Sequence, residues 1–140
     1  MSLLPISQLV DESTFGPDGI LTPDATGRRI TGARVVVEWI VRSWLQVRGG
    51  NRLAPNIGGD VRRLENATLD KAVLEAWRVT LVSAAKAATI GYLAAIDVTI
   101  SFADRTTTIE AVAVFFDGSR HALALALGAV GAQLKFGGTL

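Results

Sequence analysis

Between Ile96 and Phe102 the chain alternates. Ile96, Val98, Ile100 and Phe102 fall on one side of an extended backbone, and Asp97, Thr99 and Ser101 on the other. This is the period-two pattern of a half-buried strand. The run TTTIEAVAVFF reads as a second strand, and the segment from Arg120 through Leu123, Leu125 and Leu127 as a third. Asp117-Gly118 between them is a signal for a two-residue hairpin turn. The three strands form an antiparallel meander. Gly128, Gly131, Gly137 and Gly138 punctuate the tail, whose Leu134, Lys135 and Phe136 belong either to a fourth, edge strand or to a loose arm.

Upstream the period changes. Ala33, Val37, Ile40 or Val41, Trp44 and Val47 recur at helical spacing, with Arg34, Glu38 and Arg42 four apart on the opposite side. Val35-Val36-Val37 favours a strand, but the charge ladder decides for an amphipathic helix ended by Gly49 and Gly50. A second helix starts with Thr68 as N-cap and Asp70 in its first turn. It carries Leu69, Val73, Ala76 or Trp77, Leu81 and Ala84 or Ala85 along one face, and runs to about Ala88 before Gly91. The stretch RGGNRLAPNIGGDVRRLENA between the helices is a glycine-rich loop leading into a short helical turn that Asp60 caps.

The first thirty residues hold Pro5, Pro17 and Pro23 with Gly16, Gly19 and Gly27 and show no sustained periodicity. They read as an extended arm with turns at GPDG and TPDATG. The expected architecture is therefore α+β: an extended N-terminal arm over 1–30 and a single domain over 31–140, in which two main helices pack on a three- to four-stranded antiparallel meander.

Composition narrows the function classes. The 140 residues suffice for one domain with a core that needs no disulfide or metal staple. Cysteine is absent and His121 is the single histidine, which excludes disulfide frameworks, thiolate zinc sites and cysteine nucleophiles. The start, MSLLPISQLVDE, lacks the basic and apolar regions of a secretory signal, and the richest apolar stretch, from Ala33 to Val47, is broken by Arg34, Glu38 and Arg42. Cytoplasmic synthesis and no membrane span are expected. A hydrophobic content of 49% and a mean hydropathy of +0.36 are high for so small a chain, so some apolar surface is expected to meet a partner. The net charge of +1 divides unevenly into −4 over 1–27, +6 over 28–63 and −1 over the remainder.

Candidate chemistry is sparse. Gly49-Gly50 and Gly58-Gly59-Asp60 lack the full phosphate-loop pattern, so structural turns are expected there. Arg28, Arg29, Arg48, Arg52, Arg62 and Arg63 could face a nucleic acid, an acidic partner or the acidic arm; the only aromatics nearby, Trp39 and Trp44, point mainly to the core, which disfavours nucleic acid. His121 opens a strand with no serine or cysteine signature around it and reads as an ordinary rim residue. Glycoside hydrolysis would need two acids across one cleft, with Glu38 and either Glu65 or Glu75 as candidates. Glu38 sits in an arginine ladder and Glu75 on an exposed helix face, so no catalytic residue, cofactor or metal is expected.

Two stretches, VVVEWIVRSWLQVRGGNRLAPNIGGDVRRLEN and AIDVTISFADRTTTIEAVAVFFDGSRHALAL, together with the helix between them, resemble the sheath-initiator or wedge proteins of contractile phage tails, which have counterparts in type VI secretion baseplates. The resemblance covers roughly residues 30 to 127 and leaves the arm outside. It implies a non-enzymatic part of a virion tail baseplate, made in the host cytoplasm. In that role the protein would contact the tail sheath protein, baseplate wedge proteins and tube or hub proteins, in several copies within a sixfold assembly, and bind neither nucleic acid nor membrane. Many members carry a Glu-Pro-Arg-like turn before the sheet; this chain has Ala88-Thr89-Ile90-Gly91-Tyr92, so a wedge contact assigned to that turn does not carry over. A sheet edge is the feature that could receive a partner strand. The expected partner-binding residues are Leu123, Leu125, Leu127, Leu134, Lys135 and Phe136, with Arg62 and Arg63 from the basic block. The competing reading is that the leucines face the helices. The edge reading also predicts that removing 129–140 leaves a folded monomer. A small adaptor that binds a peptide by its sheet edge is the alternative function, and a cell-wall hydrolase a more distant one.

Overall fold

A computed structural model describes residues 4–16, 18–22, 27–46, 70–103, 105–128 and 131–139. The order of elements is a short 3-10 turn at Ile6–Gln8, strands β1 (Val10–Glu12) and β2 (Arg29–Thr31), helices α1 (Ala33–Leu45) and α2 (Lys71–Ala88), and strands β3 (Leu93–Ala103), β4 (Thr106–Phe115), β5 (Arg120–Gly128) and β6 (Gly131–Thr139). The fold is α+β, as expected. β3-β4-β5-β6 form one antiparallel meander, and β1 and β2 pair in a separate two-stranded sheet.

The meander follows from its alternation. Ile109, Ala111, Ala113 and Phe115 of β4 and Leu123, Leu125 and Leu127 of β5 all turn to one face and are buried there against the helices. α1 packs against β5 and β6, α2 against β3 and α1. The tail is a fourth strand, held to β5 by pairs including Leu125 with Leu134 and Leu127 with Ala132. The Asp117-Gly118 turn is one residue longer than expected. Phe115 N donates to Ser119 O at 2.9 Å and Gly118 N to Phe115 O at 3.0 Å, so Phe116, Asp117 and Gly118 make a three-residue loop. Gly118 takes the left-handed conformation there, with φ of 87°.

α2 ends at Ala88 as expected, but its N-cap is Asp70, whose side chain accepts from Val73 N at 2.8 Å. Thr68 lies outside the described residues, as do Gly49, Gly50, Asp60 and the rest of the glycine-rich loop. α1 forms in spite of its valine run and ends at Leu45, ahead of the two glycines.

The largest departure concerns the arm. The boundary expected at residue 30 falls inside β2, and Leu9, Phe15 and Ile30 belong to the same core as the helices and the meander. A hydrogen bond from Gly19 N to Gly16 O at 2.9 Å closes the expected GPDG turn; the tip of the TPDATG turn lies outside the described residues. From that first turn the chain reaches β6, where Leu21 N donates to Ala132 O and Leu134 N to Gly19 O, both at 2.8 Å. The segment is a strap across α1, fastened at its far end to the sheet edge.

The strap explains a second departure. α1 buries Glu38 completely along with its apolar positions, because the side meant for solvent lies beneath residues 11–15. The ladder survives as Arg34 Nε to Glu38 Oε2 at 2.9 Å and Arg42 to Glu38 Oε1 at 3.8 Å. Ser13 Oγ donates to the same carboxylate at 2.9 Å, and Thr14 N at 3.3 Å. Asp11 accepts from Trp39 Nε1 at 2.8 Å and pairs with Arg42 at 3.0 Å, while Arg42 also donates to the Glu12 carbonyl. Burial works to raise the Asp11 pKa; bonds from Trp39, the Glu12 backbone and Arg42 outweigh it and hold the group below its ordinary value.

Candidate interaction surfaces of the sheet

The helices cover one face of the meander and leave the other open among the described residues. Because β-strand side chains alternate, the open face carries Asp97, Thr99 and Ser101 from β3, Thr108, Glu110, Val112 and Val114 from β4, Ala122, Ala124 and Ala126 from β5, and Gln133, Lys135 and Gly137 from β6. Register aligns them in rows. Thr99, Glu110, Ala124 and Lys135 form one row, and Asp97, Val112 and Ala122 the next. A shallow trough of about 320 Å³ runs over these two rows, floored by Ala122, Ala124 and Gly137 between the side chains of Asp97, Glu110 and Lys135.

The edges differ. β6 is partly covered by the strap at Ala132 and Leu134. β3, eleven residues long, pairs with β4 alone, and apart from Leu93 N, which donates to Thr89 O at 3.2 Å, it makes no outward backbone hydrogen bond to any described residue. It has one charged side chain, Asp97, and one irregularity, between Leu93 and Ala95. A long edge strand with little charge and no bulge over most of its length is the kind most able to take up a further strand.

Most of the expected partner residues are therefore corrected. β5 is an interior strand, and Leu123, Leu125 and Leu127 are at most 3% exposed in the core. Leu134 is equally buried, and Phe136 packs partly buried beside it, with Arg34 over its ring at 5.6 Å. The alternation that made these residues visible also points them toward the helices. Lys135 alone of the group is exposed, on the open face. Arg62 and Arg63 lie outside the described residues.

Of the acids weighed for a hydrolase, and disfavoured, Glu38 is sealed in the core, Glu75 is exposed and paired with Arg78 at 2.6 Å, and Glu65 lies outside the described residues. Sequence reasoning missed instead that Asp97 and Glu110 share the trough. The signal was present in the meander, since both occupy outward positions of strands joined by a short turn. His121 is 3% exposed rather than at the rim, between Phe115 at 4.6 Å and Phe136 at 6.1 Å.

Among the described residues no group of three or more His, Cys, Asp or Glu side chains is placed to hold a metal, and no helix is long and apolar enough to cross a membrane. Compared with protein-family models, curated proteins and solved structures, the chain matches none.

Proposed function

We propose that the chain is a non-catalytic structural component of the baseplate of a contractile phage tail or related injection machine, joining the baseplate wedge to the first sheath ring through strand-edge contacts. The observation that carries this reading is β3, an eleven-residue edge strand with a single charge and, beyond Leu93, no outward backbone partner among the described residues. An incoming strand would satisfy its free N–H and C=O groups along most of its length. The resemblance of residues 30 to 127 to sheath-initiator proteins names the partner as tail sheath protein, with wedge, tube or hub proteins around it in a sixfold assembly.

A cryo-EM reconstruction of the contractile particle from the source tests the reading. The expected result is this chain at the baseplate with a sheath strand paired to β3. Introducing lysine at Ala95 and Ala103, both exposed on that strand, should weaken sheath binding while preserving the fold. A particle without the chain would overturn the proposal and favour the small peptide-binding adaptor.

A further inference from the structure

The open face of the sheet is divided by charge. Asp97 and Glu110 lie on its β3/β4 half, Arg120 and Lys135 on its β5/β6 half, and all four are exposed. Along the midline run Val112, Ala122 and Ala124. Among the described residues Glu110, Arg120 and Lys135 enter no salt bridge.

We propose that this face is an isologous interface between two copies of the chain. A two-fold axis parallel to the strands, lying between two facing sheets, sets β6 of one copy over β3 of the second and β5 over β4. Lys135 then stands over Thr99 of the second copy, flanked by its Glu110 in the same row and its Asp97 in the next. The symmetry repeats the contact, and Val112 meets Ala122 at the centre. A face of one sign would repel its own copy. This one, split by sign across its midline, is complementary to itself, and its alanine and glycine floor admits the roughly 10 Å approach of packed sheets.

The size of the face sets the strength. Four strands spaced about 4.8 Å apart, each presenting about five residues at about 6.7 Å intervals, cover roughly 500 Å². That is below the roughly 800 Å² per partner of a standard interface, so the dimer is weak and dependent on concentration and salt. The inference rests on the face and not on the β3 edge, and stands independently of the proposed function.

Sedimentation velocity on the full chain, in a concentration series reaching about 1 mM, tests it. Wild type should pass reversibly from monomer to dimer. Lys135→Glu and Glu110→Lys should each weaken association about tenfold, and the double exchange should restore part of the loss. Far-UV circular dichroism of each variant confirms that the monomers are folded. A monomer throughout the series, or a dimer indifferent to both reversals, overturns the proposal.

Discussion

Ser13 and Glu38 meet inside the core, with the Ser13 hydroxyl 2.9 Å from both carboxylate oxygens. Phe15 N donates to the same hydroxyl oxygen at 3.1 Å, so one serine links the strap's backbone to the charged side of α1. Arg34 and Arg42 complete the shell around the carboxylate at 2.9 and 3.8 Å.

Glu38→Ala should therefore destabilise the protein by about 3 kcal/mol, since it takes the carboxylate acceptor from Ser13, Thr14 N and Arg34, while Arg42 keeps Asp11 and the Glu12 carbonyl. Ser13→Ala should cost about 1 to 2 kcal/mol. Urea denaturation of both variants and of the double variant measures the coupling, and additive effects would show that the two side chains act separately.

The arginine spacing around Glu38 was legible in the sequence; the burial of Glu38 was not, because it depends on a segment 25 positions away with no periodicity of its own. The meander was legible because each strand alternates, and alternation is a local property. Strand order is not local. Leu123, Leu125 and Leu127 were visible as one face of a strand, but that β5 lies inside the sheet while β3 is its open edge emerges only from the pairing. Asp117-Gly118 marked a turn without fixing its length, which depends on the bond from Phe115 to Ser119.

Asp11 should make the strap acid-sensitive. Its pKa is depressed in the folded state, so its contribution is fully present above the ordinary value of 3.8 and is lost as pH falls through the folded value. Thermal melts should show an acid-induced loss in that window that is smaller in Asp11→Asn. Equal losses would place the acid sensitivity elsewhere.

Gly19 is required where the strap meets β6. Its φ is +81°, and an added Cβ would collide with the Leu134 carbonyl oxygen. Gly27 shares a positive φ, +71°, but an added Cβ there has nothing within 4 Å. Gly27→Ala should cost about 1 kcal/mol, the left-handed penalty alone. Gly19→Ala should cost distinctly more and increase amide exchange at Leu21 and Leu134, whose N–H groups make the junction.

The reassignment of the leucines to the core has its own test. Leu125→Ala, at a fully buried position, should cost about 2 to 5 kcal/mol. Lys135→Ala, on the exposed face, should stay within about 0.5 kcal/mol. Removing 129–140 takes away Ala132 and Leu134, both in the core, so the truncated chain should fail to fold cooperatively, contrary to the expectation from sequence.

His121 gives a second, separate pH response. Burial between Phe115 and Phe136 pushes its pKa below 6.5, and the nearby Asp117 charge opposes this only in part. Its Nε2 lies 3.0 Å from Ser119 Oγ, whose hydroxyl donates to Asp117 at 2.5 Å. Those bonds from Ser119 hold Asp117 below its ordinary value, so it stays charged near neutrality. Histidine is then the group that titrates there. As pH falls below 6.5 the unfolded chain takes up a proton that the folded chain still refuses, so stability declines until the folded pKa is passed. Melts from pH 7.5 to 5 should show that decline in wild type and a nearly flat response in His121→Phe. An NMR titration of the ring that gave a pKa above 6.5 would reverse the sign and rule out this account of the β5 terminus.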